Sequence, residues 1–174
     1  MRKTFFWRFD IMEILQHALY QYWAERKFLN IVSTMSEQNW INHIPGFTKS
    51  VQEIYIHKYD LLCAWLPLLL TNSSKKVANI PEFESMPKTQ FVVEAQKILE
   101  QLVEYIKHSE NIILTIEDKW VKKPYQISSH EVLFNTFNHL TYHRGQTALM
   151  FKRLGFEAPE TDYIPFLYEI KKLT

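Results

Sequence analysis

The sequence predicts an all-α protein, a four-helix bundle with a short C-terminal helix. Glycine occurs only 3 times in 174 residues, whereas all-β folds usually need many glycine turns. Apolar residues recur at helical spacing in four segments of about 20 residues or more. The hydrophobic fraction of 47% can supply the core of such a bundle. This length fits one domain, so we assign residues 1–174 to a single domain.

The first two helices are predicted over residues 12–34 and 48–70. Apolar side chains form a stripe along the first helix, and Gln21 and Glu25 are interpreted as part of its polar side. The second helix carries a similar stripe. Pro67 is expected to end or kink it, because proline lacks the N–H that an interior helical residue donates.

A polar connection over residues 71–87 precedes the third helix, which is predicted over residues 88–109. The next stretch, "NIILTIEDKWVKKPYQI", covers residues 111–127 and is rich in β-branched side chains. We expect it to form two short extended segments rather than a helix.

The fourth long helix is predicted to begin at a capping box, in which Ser128 and Glu131 satisfy each other's backbone N–H groups. It is predicted to end at Leu154, because Gly155 suits the position just after a helix. The tail "TDYIPFLYEIKK" predicts the short closing helix.

Composition argues against nucleic-acid and membrane partners. Lys and Arg number 20 against 19 for Asp and Glu, so the formal net charge of +1 gives no general attraction to nucleic acid. The longest apolar run, residues 61–70, is ten residues and falls short of the ~20 that a spanning helix needs. The first ten residues hold an apolar run of only three, which predicts no secretory signal. We therefore expect a soluble, cytoplasmic protein.

Cys63 is the only cysteine, which excludes an internal disulfide. It lies among apolar residues, and we interpret it as a buried, unreactive thiol rather than a nucleophile.

Two histidines in the fourth helix predict half of a metal site. His139 and His143 are four residues apart and therefore share one helix face, where two imidazoles can aim at one point. A pair of hydrogen-bonded or exposed histidines is the alternative interpretation. The zinc-protease pattern is absent, because Leu140 stands where that motif has glutamate.

His57, in the middle of the second helix, is the best candidate for a third ligand, although it is also explained as an interfacial histidine with a hydrogen-bond partner. Three neutral imidazoles leave a coordination position open, as in catalytic zinc sites. Glu53, Asp60 and Gln146 are candidates for orienting the ligands, and either carboxylate is a candidate proton acceptor. Helix-surface carboxylates are more often simply solvated.

Two neighbours of His143 also carry hypotheses. Arg144 is expected to pair with a carboxylate on a neighbouring helix rather than with an anionic substrate. Gly145 is unfavourable in a helix interior, which predicts either close helix packing or access for a ligand.

Several motifs together resemble the DinB-like superfamily, whose name refers to damage-inducible expression and so to stress response. They are "NHLTYHRGQ" (residues 138–146), the mid-helix His57 followed by Trp65, the stretch from "TIEDKW" to "PYQIS", and the tail "LGFEAPETDYIPFLYE". The resemblance implies a four-helix bundle, commonly a homodimer, with a divalent metal held by His57, His139 and His143. Relatives include transferases for thiols such as bacillithiol or mycothiol, and metal-dependent hydrolases. Some relatives carry a glutamate between the last two histidines, and its absence here argues against direct hydrolysis.

Two functions from different classes follow from these patterns. The first is an enzyme in which a divalent transition metal, zinc or nickel, activates a low-molecular-weight thiol, or water, against a small-molecule substrate. The second is a non-catalytic dimeric bundle in which the metal is structural or absent. An exposed apolar patch in residues 61–70 would favour the second, as a surface for a partner.

Overall fold

The computed structural model describes residues 11–71, 82–116 and 123–172. Within these ranges the chain forms six α-helices and one two-stranded antiparallel sheet. In chain order they are α1 (Ile11–Thr34), α2 (Glu37–Ile41), α3 (Val51–Thr71), α4 (Lys88–His108), β1 (Ile113–Ile116), β2 (Tyr125–Ser128), α5 (Ser129–Arg153) and α6 (Tyr163–Lys172).

The four long helices form a bundle, which confirms the predicted fold class. α1 packs against α4 and α5, and α3 packs against the same two helices. α1 and α3 therefore lie diagonally across the bundle, and α3 and α5 face each other as neighbours. One continuous hydrophobic core runs between the four helices.

The predicted boundaries of the long helices lie within a few residues of the observed ones. At the start of α5, the Ser128 hydroxyl accepts from the Glu131 N–H, and the Glu131 carboxylate accepts from the Ser128 N–H. After α5, Gly155 adopts a positive φ of 83°, a conformation that is accessible to glycine. Both predictions are confirmed.

The extended segments and the closing helix are confirmed as well. β1 and β2 pair antiparallel, with Ile113 opposite Ser128. Helix α6 lies on α1, where Phe166 is buried and Glu169 accepts hydrogen bonds from Trp23 and Lys27. Most of the predicted connection over residues 71–87 lies outside the described residues.

Three local features were not indicated by the sequence. Between the first two predicted helices the chain forms a short helix, α2, which begins after the capping residue Ser36. Of the two outcomes expected of Pro67, an end of the helix is ruled out, because α3 continues to Thr71. Gln21 and Glu25, interpreted as part of the polar side of α1, are fully buried. Their spacing also places them beside the apolar stripe, and their side chains form hydrogen bonds with buried residues of other helices.

The apolar run over residues 61–70 is part of the core rather than a surface patch. Leu62, Cys63, Leu66, Leu68 and Leu69 are buried there, and only the last residue of the run is exposed. Residues 61–70 therefore do not form the exposed apolar patch that would have favoured a partner surface. None of the described helices is long and apolar enough to cross a membrane.

Candidate metal centre

Helices α3 and α5 bring three histidine rings together. The ring centroids of His57 and His139 are 5.0 Å apart, those of His57 and His143 are 4.8 Å apart, and those of the two α5 histidines are 4.4 Å apart. His143 is buried, His139 is half-buried and His57 is exposed. The cluster therefore extends from the core of the bundle to its surface.

The donor atoms of the cluster fit a small metal ion. One ring nitrogen from each histidine lies within 4.8 Å of the other two. Nitrogens bound tetrahedrally to zinc at about 2.0–2.1 Å are roughly 3.3 Å apart, so modest ring rotations would close the difference. In addition, Nε2 of His139 is buried without a hydrogen-bond partner among the described residues. An unsatisfied buried nitrogen of this kind suits a metal ligand.

The electrostatics of the cluster favour neutral rings, the form that binds metals. Burial lowers the pKa of His139 to about 4, with further contributions from the other two histidines. Burial also lowers the pKa of His143, although its hydrogen bond to Gln146 opposes the shift. Although His57 is exposed, partial desolvation of its ring lowers its pKa, the charge of Lys49 lowers it further, and Asp60 opposes the shift.

Gln146 lies one turn after His143 and bonds directly to its ring. Its side-chain Oε1 is 2.7 Å from Nδ1 of His143. Because an amide oxygen only accepts hydrogen bonds, this contact places a proton on Nδ1 and leaves Nε2 unprotonated in the neutral ring. The contact fixes both the tautomer and the orientation of the ring.

The two candidate carboxylates are placed differently. Glu53 accepts a hydrogen bond of 2.6 Å from the Ser50 N–H and lies 3.3 Å from Nε2 of His43, so its carboxylate serves the start of α3. Among the described contacts, none joins Glu53 to a ring of the cluster. Asp60 lies one turn after His57 and interacts electrostatically with it. Burial and the charge of Glu84 raise the pKa of Asp60, while His57 opposes the rise.

An open groove of about 410 Å³ gives access to the cluster on the side of His57. Its wall carries both charge signs, including Lys49 and Asp60. Tyr142 stands beside the cluster on the surface of α5, with its ring edge-on to His143 at 4.9 Å and 64% of the side chain exposed. A small polar molecule therefore has room next to the ring of His57.

Beneath the cluster lies a buried ionic network of Glu25, Lys58 and Arg144, defined here as the buried triad. The Glu25 carboxylate is 2.6 Å from Nζ of Lys58 and 3.1 Å from Nη1 of Arg144. The prediction that Arg144 pairs with a carboxylate on a neighbouring helix is confirmed. Sequence analysis missed Glu25 and Lys58, although both lie at core spacing within apolar stripes, which was the available signal.

The other described histidines lie outside the cluster. His17 stacks on Phe137, with ring centroids 5.2 Å apart, and His43 lies beside Glu53. His108 is exposed and bonds to Glu104, and His130 is buried in the first turn of α5.

Cys63 is buried, as predicted, and burial raises the pKa of its thiol to about 12.

Gly145 leaves open space, because a Cβ added there would meet nothing within 4 Å. Close helix packing is therefore not its reason, and access for a ligand remains the other hypothesis.

The fold and the site together define a class of protein: a helical bundle in which two facing helices bring three imidazoles together, one of which, His57, lines an open groove. The DinB family model matches residues 11–172, and the chain belongs to the DinB family. The chain is also similar to Protein DinB of Bacillus subtilis (strain 168), with 26% identity over 166 residues that cover 88% of this chain and 94% of the relative. The resemblance drawn from the sequence motifs is confirmed.

Proposed function

We propose that this protein is a metal-dependent enzyme. His57, His139 and His143 hold a divalent transition metal, zinc or nickel, and the enzyme transfers a low-molecular-weight thiol to a small electrophilic substrate. The observation that carries the proposal is the convergence of three neutral imidazoles, from two helices, beside an open groove. Membership of the DinB family supports the metal site.

A divalent ion held by three imidazoles acts as a Lewis acid and lowers the pKa of a thiol or water molecule bound to it. The residues of the chain supply the setting for this chemistry. Gln146 holds the His143 ring by its Nδ1 proton, so that Nε2 is free to bind a metal. Asp60 lies in the groove beside His57 and can accept the proton that a thiol releases.

The nucleophile is proposed to come from outside the chain. Cys63, the only cysteine, is buried and has a thiol pKa of about 12, so it cannot serve. In the proposed reaction the sulfur of a small thiol bonds to an electrophilic carbon, a leaving group such as chloride departs, and the thiol proton passes to Asp60 or solvent. Hydrolysis of a substrate by water is the second candidate, because Asp60 in the groove can accept a proton from water in the same way.

The first test is metal content, measured by elemental mass spectrometry on untagged protein. We expect about one equivalent of zinc or nickel in the wild type and a large loss in His57→Ala and in His143→Ala. His108→Ala is the matched control, because His108 is an exposed histidine outside the cluster. A wild type that stays metal-free after reconstitution and dialysis contradicts the proposal. We also propose that the chain forms a homodimer, as the family resemblance implies, and light scattering on the same sample tests this.

The second test separates the two reactions. Metal-loaded protein is mixed with monochlorobimane and cysteine, glutathione or bacillithiol, and the thioether is followed by fluorescence. Activated esters are offered in parallel without a thiol. Thiol conjugation that disappears in His57→Ala supports the transferase, whereas ester cleavage alone supports the hydrolase. Absence of both activities in a metal-loaded protein favours a structural metal.

A further inference from the structure

The centre of the bundle holds three charged side chains, one from each of three helices. Glu25 lies on α1, Lys58 on α3 and Arg144 on α5, and their side chains are 4% exposed or less. One carboxylate oxygen of Glu25 accepts from Lys58, and the other accepts from Arg144. Charges buried this deeply are costly unless they are paired with good geometry, so their bonds constrain the helices that carry them.

Both cations of the buried triad are next in sequence to a histidine of the cluster. Lys58 follows His57, and Arg144 follows His143. α1 contributes no histidine to the cluster, yet its Glu25 bonds to both helices that do. The Glu25–Lys58 bond also spans the diagonal between α1 and α3. One carboxylate thus ties the two ligand-bearing helices to a common point.

We infer that Glu25 is a positioning residue for the three-histidine site. By holding Lys58 and Arg144 together, it sets the spacing of α3 against α5, and with it the spacing of His57 from His139 and His143. The inference rests on the proposed metal function for its role in binding. Its structural part, the placement of the rings, is independent of any metal.

The two cations depend on Glu25 to different degrees. Arg144 has three other acceptors, which are Gln21 at 2.9 Å, the Tyr20 hydroxyl at 3.1 Å and the Thr141 hydroxyl at 3.2 Å. Lys58 has no other hydrogen-bond acceptor among the described residues. Its Nζ also lies 4.6 Å from the centroid of the Tyr55 ring, a cation–π contact. A change at Glu25 therefore acts mainly on α3, and so on His57.

Two variants separate positioning from folding. Glu25→Asp keeps the charge but is shorter by one methylene, so it cannot reach both cations at the present spacing. Glu25→Gln combined with Lys58→Met removes one negative and one positive charge, which leaves the buried net charge unchanged. Ile98→Ala is the stability control, because Ile98 is a buried residue of α4, a helix without a ligand.

The first measurement is the zinc dissociation constant, from competition with a chromophoric chelator at a temperature where every variant is folded. We expect both Glu25 variants to bind zinc about tenfold more weakly or worse, the usual range for residues that orient metal ligands. The visible spectrum of the Co(II)-loaded variants should change as well. Ile98→Ala should bind as the wild type does at a comparable loss of stability. Unchanged zinc affinity in both folded Glu25 variants would overturn the inference.

The second measurement needs no metal. In the metal-free protein, the imidazole Cε1–Hε1 resonances of His57, His139 and His143 should shift in the Glu25 variants, while those of exposed His43 and His108 stay in place. Should the wild type fail to bind any metal, the proposed function fails and this arm alone decides the positioning role. Ring resonances of the cluster that match the wild type would then overturn it.

Discussion

At the scale of single residues, the environment of Cys63 determines its reactivity. Its side chain is 7% exposed, and burial raises the pKa of the thiol to about 12. At pH 8 almost none of it is thiolate, which is the reactive form. We expect Ellman's reagent to leave the native protein unmodified for hours and to label one thiol at once in denaturing urea.

The control for this prediction is an exposed thiol on the same protein. Leu149 is 59% exposed on α5, so Leu149→Cys should react quickly in the native state. Rapid labelling of the native wild type would show that the thiol is accessible, and would reopen Cys63 as a nucleophile.

The contact between Gln146 and His143 gives a second prediction at this scale. Gln146→Ala removes the acceptor for the Nδ1 proton of His143, so the ring loses its fixed tautomer and orientation. We expect zinc affinity to fall by about 10–100-fold, measured by chelator competition. Gln101→Ala, an exposed glutamine on α4, is the matched change and should bind zinc as the wild type does. Equal affinities in the two variants would contradict a role for Gln146.

The residue patterns predicted part of the site and missed the rest for a physical reason. Spacing of four along a helix was enough to place His139 beside His143, because helix geometry is local. The burial of Glu25, in contrast, is not determined by its neighbours in sequence. It depends on Lys58 and Arg144 arriving from two other helices, and a charged residue at core spacing is otherwise better explained as solvated.

At the scale of elements, the carboxylate of Glu53 acts at the start of α3. Its pKa is lowered chiefly by the hydrogen bond from the Ser50 N–H, so the ionised form stabilises the helix. This stabilisation is complete above the ordinary glutamate pKa and is lost as the pH falls through the lowered value. Glu53→Gln should therefore lower the free energy of unfolding at pH 7 by a few tenths of a kcal/mol, since a half-exposed group is screened by solvent.

Urea unfolding of the wild type and Glu53→Gln from pH 7 down to about pH 3 tests this account. The difference should shrink as the pH falls. Glu110→Gln, at an exposed carboxylate after α4, is the control for the loss of one negative charge. The metal content of Glu53→Gln tests whether Glu53 also takes part in metal binding. Because the Glu53 carboxylate bonds to the Ser50 N–H and lies beside His43, Glu53→Gln should bind as much metal as the wild type. Loss of metal would instead mean that Glu53 contributes to the metal site.

The elements themselves were largely predictable because their determinants are local. The stripe of α4, the capping box before α5 and the glycine after it all act within a few residues. The features that the sequence did not indicate have equally specific causes. α2 is only five residues long, too short to show a helical period. Pro67 lies in a helix whose packing on the core outweighs the backbone bond that proline loses.

At the scale of the whole molecule, the site joins two neighbouring helices of the bundle, so metal binding should stabilise the entire fold. His57 lies on α3, while His139 and His143 lie on α5. The unfolded chain does not hold these rings together, so the metal favours the native state. At free zinc about 100 times the dissociation constant, linkage adds about 2.7 kcal/mol to the free energy of unfolding.

For a chain of this size, that stabilisation corresponds to a rise in Tm of roughly 5–10 °C, which calorimetry with and without zinc would measure. His57→Ala removes the only proposed ligand on α3, so the remaining pair of histidines lies on one helix and no longer joins two helices. We expect its Tm to respond little to zinc, whereas His108→Ala should respond as the wild type does. An equal rise in His57→Ala would mean that zinc binds elsewhere, and the link between α3 and α5 would be disproved.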